Sequence, residues 1–266
     1  MSTPPTMRSI EEMLPSEIIA ARDNSGCAFV PISPAFEWHS YHLPLGTDGL
    51  IAEGLCRLAA RETGGVYFRV LSFGLDAWRT DAELAHWGFQ PGERVFGMNF
   101  PGLPVRCEYA QEAEMVAALS NRLRALVETG FRWVFVVNHH GGKGQAAVIE
   151  KTCREFPAGD GAKILPVRVN QFATLARQQP EQAQLRVGGH AGMLETLQLA
   201  AFRPELVDLH RLPEGELKVR EMGILHSQPV IEAEANPRNA LLALANDYRE
   251  DVLQNFLAYI ELLRQA

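Results

Sequence analysis

The sequence predicts an α/β protein with a mostly parallel central sheet flanked by helices, and three observations carry that expectation. Short β-rich runs alternate with amphipathic helical stretches from the N-terminal third onward. The run from Phe131 to Val137 (FRWVFVV) is almost wholly apolar, as a strand covered on both faces must be. That strand and an earlier one end abruptly in polar loops, the edge at which open α/β sheets bind ligands.

Taken in order, the amphipathic stretch Ser9 to Arg22 reads as the first helix, and the apolar run Cys27 to Ile32 as the first strand. A helix over Gly49 to Glu62 and a strand over Val66 to Ser72 follow, then a long helix over Ala110 to Glu128. The strand ending at Val137 begins at Trp133 and leads through glycines into a helix over Gly144 to Phe156. A strand over Lys163 to Val169 and a helix over Gly192 to Phe202 complete the alternation. Arg203 to Asn236 is irregular and Pro-rich, an excursion over the surface, and Pro237 to Leu263 reads as a final helix. No repeat or linker interrupts the chain, so residues 1–266 are expected to form one domain.

Composition removes several function classes. With 47% hydrophobic and 21% charged residues in 266, the chain has the usage of a globular protein with a sizeable core. A net charge of −7 gives no electrostatic case for nucleic-acid binding, and leaves a small-molecule substrate as the expected partner. Cys27, Cys56, Cys107 and Cys153 form no CxxC pair, so buried reduced thiols are expected rather than a zinc ribbon or redox dithiol. No apolar run is long enough to span a bilayer and Met1 to Ile10 lacks a secretory core, which points to a cytoplasmic protein with no membrane partner.

Three segments could carry chemistry. Glu37, His39, His42 and Asp48 place imidazoles and carboxylates in one loop that leads into a helix, a donor set suited to Zn, Mn or Fe, although solvated loops also collect such residues. Asn138-His-His-Gly-Gly-Lys-Gly144 lets backbone approach a ligand at a helix start; the spacing of a phosphate loop is missing. Gly188 to Thr196 carries His190 and Glu195 near another helix start, where a lone pair would more often serve as a cap.

In order, Glu37-Trp-His-Ser-Tyr-His-Leu-Pro-Leu-Gly-Thr-Asp48, Asn138-His-His-Gly-Gly-Lys143 and His190-Ala-Gly-Met-Leu-Glu-Thr196 resemble the three motifs of the creatininase family. The likeness runs from about Ile10 to Phe202 and includes Phe100-Pro-Gly102. It implies a creatininase-like layered fold with two divalent metal ions at the carboxyl edge of the sheet. Carried over by position, Glu37 and His140 hold one ion, His39 and Glu195 the other, and Asp48 bridges them. His190 is then the catalytic proton shuttle, while His42, Ser40, His139 and Lys143 are substrate contacts or supports of the ligands.

The activity so implied is a metal-dependent hydrolase in which water activated between the ions attacks the carbonyl of a small, cyclic substrate, amide hydrolysis being the commonest family chemistry. Departures from the pattern point away from creatinine itself. Gly142 stands where creatininase has a ligating glutamate, and Trp38, Trp78, Trp87 and Trp133 lie outside the region that clamps creatinine. Ser40, His139 and Lys143 replace Gly, Gly and Asn of the motifs, which suits a hydroxyl-rich or anionic substrate. An inosose hydrolase that opens a cyclic diketone by C–C cleavage and a formylaminopyrimidine deformylase are the enzyme alternatives. A non-catalytic metal or small-molecule binding protein is the alternative of another class. The long C-terminal stretch is expected to pack on the core or at the interface of a homo-oligomer.

Overall fold

β1 (Cys27–Ser33) runs through the middle of the sheet and is buried along its whole length. β4 (Trp133–Asn138) lies beside it in parallel, with Cys27 opposite Trp133 and Pro31 opposite Val137, and β5 (Lys163–Arg168) extends the sheet beyond β4. On the other edge of β1 lie two short pieces, β2 (Val66–Tyr67) and β3 (Leu71–Ser72), also parallel. The order is β2–β1–β4–β5, with β3 beside the end of β1. The computed structural model describes residues 7–175 and 189–265.

Alternation of side chains sorts the sheet into two cores. Cys27, Phe29, Phe135 and Val137 face α2 (Thr47–Thr63), α6 (Met193–Phe202) and α8 (Ala245–Gln265), and Phe29 and Phe135 stack at 5.3 Å beneath Phe256 of α8. Ala28, Val30, Ile32, Val134 and Val136 face α4 (Glu112–Thr129) and α5 (Gln145–Glu155) through Met115, Leu119, Leu123 and Ile149. Helices thus cover both faces, which is why the two central strands are apolar up to their last residues, Ser33 and Asn138.

Several boundaries differ from those read in the sequence. The strand expected over Val66 to Ser72 is split, because the amide of Arg69 is taken by the Glu11 carboxylate and that of Val70 by Glu53. Pro31, which has no amide proton, falls in the gap between the two registers. The first helix begins at Pro15 as α1 (Pro15–Asn24), since Leu14 ahead of the proline is extended and leaves only a 3-10 turn at Ile10–Glu12. The final helix starts at Ala245; Pro237–Asn239 and Leu242–Leu244 are separate 3-10 turns, the first closed by the Asn236 side chain accepting from the Arg238 amide. Two helices, α3 (Asp81–His86), capped by Thr80, and α7 (Val219–Met222), are too short to show a period. Of the cysteines, Cys27, Cys56 and Cys153 are buried, Cys107 is half-buried, and all are free. Among the described residues no helix is long and apolar enough to cross a membrane.

Candidate metal centre

The carboxyl ends of β1 and β4 open into two loops that meet. The loop after β1 brings Glu37 and His39, and the first turn of α2 brings Asp48. The loop after β4 brings His139 and His140, and its path is fixed by Asn138, whose Nδ2 donates to the His140 carbonyl at 2.9 Å while its Oδ1 accepts from Gln145 Nε2 at 3.0 Å. The first turn of α6 supplies Glu195 from the third segment, of which Gly188 lies outside the described residues.

Glu37, Asp48 and His140 each place one donor atom within 4.8 Å of the other two, and so do His39, Asp48 and Glu195. Asp48 belongs to both groups. Each imidazole is held by a backbone carbonyl on its far side. His39 Nδ1 donates to the Glu37 carbonyl at 3.0 Å, leaving Nε2 at 3.7 Å from both Asp48 and Glu195 and 4.0 Å from Glu37. His140 Nε2 donates to the Leu75 carbonyl at 3.0 Å, leaving Nδ1 at 2.9 Å from Asp48 and 3.2 Å from Glu37. Outer hydrogen bonds of this kind fix tautomer and ring orientation at metal sites.

Three carboxylates buried together require positive charge among them. Burial pushes His39 toward the neutral form, yet Glu195, Asp48 and Glu37 outweigh it and hold the ring up at about 9. The same balance, won by Glu37 and Asp48, raises His140 well above the usual range. Burial would raise Asp48, but hydrogen bonds from His139 and His140 and the nearby charge of His39 keep it well below the ordinary carboxylate value, and His140 likewise lowers Glu37. Even so, His39 Nε2 and Glu37 Oε2 are sealed from solvent without a hydrogen-bond partner among the described residues. Paired orphan donors of this type, carboxylate with imidazole, fit a borderline divalent cation.

Further residues hold these groups in place. His139 bridges Asp48 Oδ1 at 2.7 Å and Gln198 Oε1 at 3.0 Å, and Gln198 passes the connection to Asn170 and to the Tyr248 hydroxyl on α8. The Tyr109 hydroxyl donates to Glu37 Oε1 and accepts from the Met98 amide; burial and the Glu37 charge push it far up, so it stays protonated. Gly97, at φ +56°, is required beneath that ring, since a Cβ there would stand 2.3 Å from it. Ala191, at φ +54°, turns its amide onto Glu195 Oε2 at 2.5 Å. Gly142 is required for another reason: a Cβ would meet His140 Nε2 at 2.0 Å and the Leu75 carbonyl at 2.2 Å, on the hydrogen bond that orients His140. The position that carries a carboxylate in creatininase cannot carry one in this arrangement.

His190 lines the cavity with its ring 4.2 Å from that of His39, and its Nε2 donates to the Trp38 carbonyl at 2.5 Å, which leaves Nδ1 as the basic nitrogen. His42 is buried behind His39 and donates from Nε2 to Thr196 at 2.8 Å; burial, then the neighbouring His39, push it down to about 3 and keep it neutral. Ser40 is buried, takes φ +63°, and its hydroxyl has no partner among the described residues. Lys143 does not face the cavity as expected. Its Nζ lies 2.8 Å from Glu83 of α3, because the turn into α5 carries the side chain outward, 42% exposed.

The cavity above the centre has a volume of about 270 Å³. Its wall includes Asp76 and Arg79, which the sequence reading missed together with Tyr109, Asn170 and Gln198. Only Gln198 carried a signal, three residues after Glu195 on the same helix.

A three-layer parallel α/β fold with a carboxylate–imidazole cluster at its carboxyl edge defines a class of metal-site protein. The creatininase family model, described as creatinine amidohydrolase, matches residues 11–240, and the chain belongs to that family of metal-dependent hydrolases. Among solved structures, a creatinine amidohydrolase (creatininase) superposes with a TM-score of 0.67 at 16% identity, covering 97% of each chain. A creatininase variant described as Zn-Zn type gives 0.67 at 18%, covering 95% of this chain and 97% of that one. A creatininase described with Mn gives 0.65 at 18%, covering 95% and 98%. No curated protein matches the chain.

Proposed function

We propose that the chain is a dinuclear hydrolase acting on a carbonyl of a small, cyclic, polar substrate. Glu37, Asp48 and His140 would hold one divalent ion and His39, Asp48 and Glu195 the other. The observation that carries this reading is the sharing of Asp48 between two donor groups whose imidazoles are each pinned by a backbone carbonyl. Zn, Mn or Fe fits the donor set, and metal-bearing relatives of Zn and Mn type support the choice. When bound, such ions supply Lewis acidity and lower the pKa of water.

The protein's own groups do the rest. His190 takes a proton from the attacking water at Nδ1 and delivers it to the leaving group, its ring held by the Trp38 carbonyl. His139 fixes Asp48 and Tyr109 fixes Glu37 by one hydrogen bond each, which would leave their remaining oxygens to hold the ions. The buried floor excludes bulk water, which strengthens each of these electrostatic contacts.

Amide hydrolysis is the first reading of the bond cleaved, and a similar structure is a creatininase variant complexed with creatine. Opening of an oxygen-rich cyclic diketone is the second, favoured because the wall carries Asp76, Arg79, Asn170 and Gln198 and, among the described residues, no tryptophan. Metal-reconstituted protein assayed against creatinine, formylaminopyrimidines and 3-dehydro-inososes separates the two. Turnover of none of them by fully metallated protein would favour the non-catalytic binding alternative.

A further inference from the structure

Arg79 and Asp76 form an ion pair in the cavity wall, 2.7 Å apart, with side chains only 7% and 1% exposed. Burying both charges is a poor way to gain stability, since an apolar pair would pack as well without the desolvation cost. The guanidinium is nevertheless fixed on three sides. Nη2 donates to Asp76 Oδ2, Nε donates to the Gly97 carbonyl at 3.1 Å, and the Trp87 ring lies 5.7 Å from Cζ. Asp76 is itself anchored through Oδ1, which accepts from the amides of Ala77 at 2.8 Å and Lys143 at 3.3 Å. Nη1 has no hydrogen-bond partner among the described residues and is not among the atoms sealed from solvent, while Arg79 lines the cavity.

An arginine anchored at two nitrogens and open at the third is a preorganised donor, because the planar fork cannot turn away from what it faces. It stands on the same side as the metal-centre loop: Leu75, next to Asp76, accepts from His140, and Gly97 seats Tyr109 against Glu37. We infer that Arg79 is a substrate-selecting residue, and that the substrate carries a second acceptor oxygen, carboxylate or ketone, besides the carbonyl that reacts. This rests on the hydrolase reading above.

The test uses diacids as substrate-sized probes, with acetate as the probe that offers one carboxylate only. Calorimetric titration of metal-loaded protein with acetate, malonate, succinate and glutarate gives the preference for the best diacid over acetate. The expected preference is about tenfold or more, the size of one charge-assisted hydrogen bond. It is expected to collapse toward unity in the Asp76→Asn, Arg79→Gln double variant, which keeps a neutral pair in the wall, with metal content and melting temperature as controls. An intact preference in a folded, metallated double variant overturns the inference, as does a wild type with no preference for any diacid. Should the double variant not fold, Arg79→Lys carries the test, because it keeps the charge and loses the fork: a weakened preference supports the inference and an unchanged one overturns it. The monoamide of the best diacid then tells a neutral acceptor from an anionic one. Protein that takes up no metal would sink the hydrolase reading alone if an Arg79-dependent diacid preference persisted, and both ideas if none did.

Discussion

The floor of the cavity draws Glu37, His39 and Asp48 from one short stretch, a loop and the first turn of α2, whereas the wall draws Asp76, Arg79 and Met98 from a segment with no such grouping. The two regions also treat charge differently. On the floor, three carboxylates crowd together with imidazoles, and His39 Nε2 and Glu37 Oε2 are left unpaired among the described residues; in the wall, one acid meets one base and each of their polar atoms except Nη1 has a partner. On the reading proposed above, the floor receives cations and the wall presents a fixed donor. Chemistry and selectivity would then come from regions under different constraints, and mutations should separate them.

The largest effect is expected at Asp48. In Asp48→Ala both donor groups lose their common member, so metal content should fall below one ion per chain and turnover should vanish. Metal analysis after reconstitution checks this, and two ions retained would dismantle the shared-carboxylate arrangement. His190→Ala should instead keep its metals and lose roughly 10²–10⁴-fold in turnover, the usual worth of a positioned acid–base group. An ion lost along with activity would make His190 a ligand, which its place near Glu37 and His39 allows.

Gly142→Ala moves the comparison one step outward. Its Cβ would displace the His140–Leu75 hydrogen bond without removing any donor, and outer contacts of this kind typically change metal affinity by ~10–100-fold. Equal affinity in Gly142→Ala and wild type, measured by competition with a chelator, would show that this hydrogen bond does not orient His140.

The floor was legible in the sequence because metal chemistry restricts residue type: an imidazole or carboxylate cannot be replaced there by a residue that merely packs. The parallel strands were legible for a similar reason, since burial on both faces leaves Val134 to Val137 no polar position. What stayed hidden was decided by tertiary partners. The split between β2 and β3 depends on Glu11 and Glu53 reaching the amides of Arg69 and Val70, which no local pattern announces. Arg79 reads as an ordinary surface arginine until Asp76, Gly97 and Trp87 close around it. Lys143, the last residue of a motif, turns its ammonium outward to Glu83 while only its amide reaches the wall at Asp76.

Ser40 lies between floor and wall in kind. It takes a left-handed backbone that costs a non-glycine residue roughly 1–2 kcal/mol, and it buries a hydroxyl with no partner among the described residues. Ser40→Gly should therefore stabilise the metal-loaded protein by about 0.5–1 kcal/mol after the larger chain entropy of glycine is deducted. Denaturant unfolding checks it. A stabilised variant with slower turnover would mean that the hydroxyl is kept for the substrate; a destabilised one would mean that the serine makes a contact worth more than the strain.

The smallest effect belongs to the Lys143–Glu83 pair, which ties the loop after β4 to α3 outside the cavity. Burial raises Glu83, but the Lys143 hydrogen bond and the Thr80 amide and hydroxyl outweigh it and bring the group from its ordinary 4.5 to about 2. A carboxylate depressed in the folded state contributes stability that is present above 4.5 and is lost as the pH falls through about 2. With side chains 42% and 30% exposed, solvent screening limits the pair to roughly 0.5 kcal/mol. Wild type should exceed Glu83→Gln by that amount at neutral pH, and the gap should narrow as unfolding is measured at successively lower pH. A gap that does not change on acidification would assign the contribution to capping of α3 rather than to charge. Turnover should be the same in both proteins at neutral pH, because Lys143 reaches Glu83 and leaves the wall to Arg79.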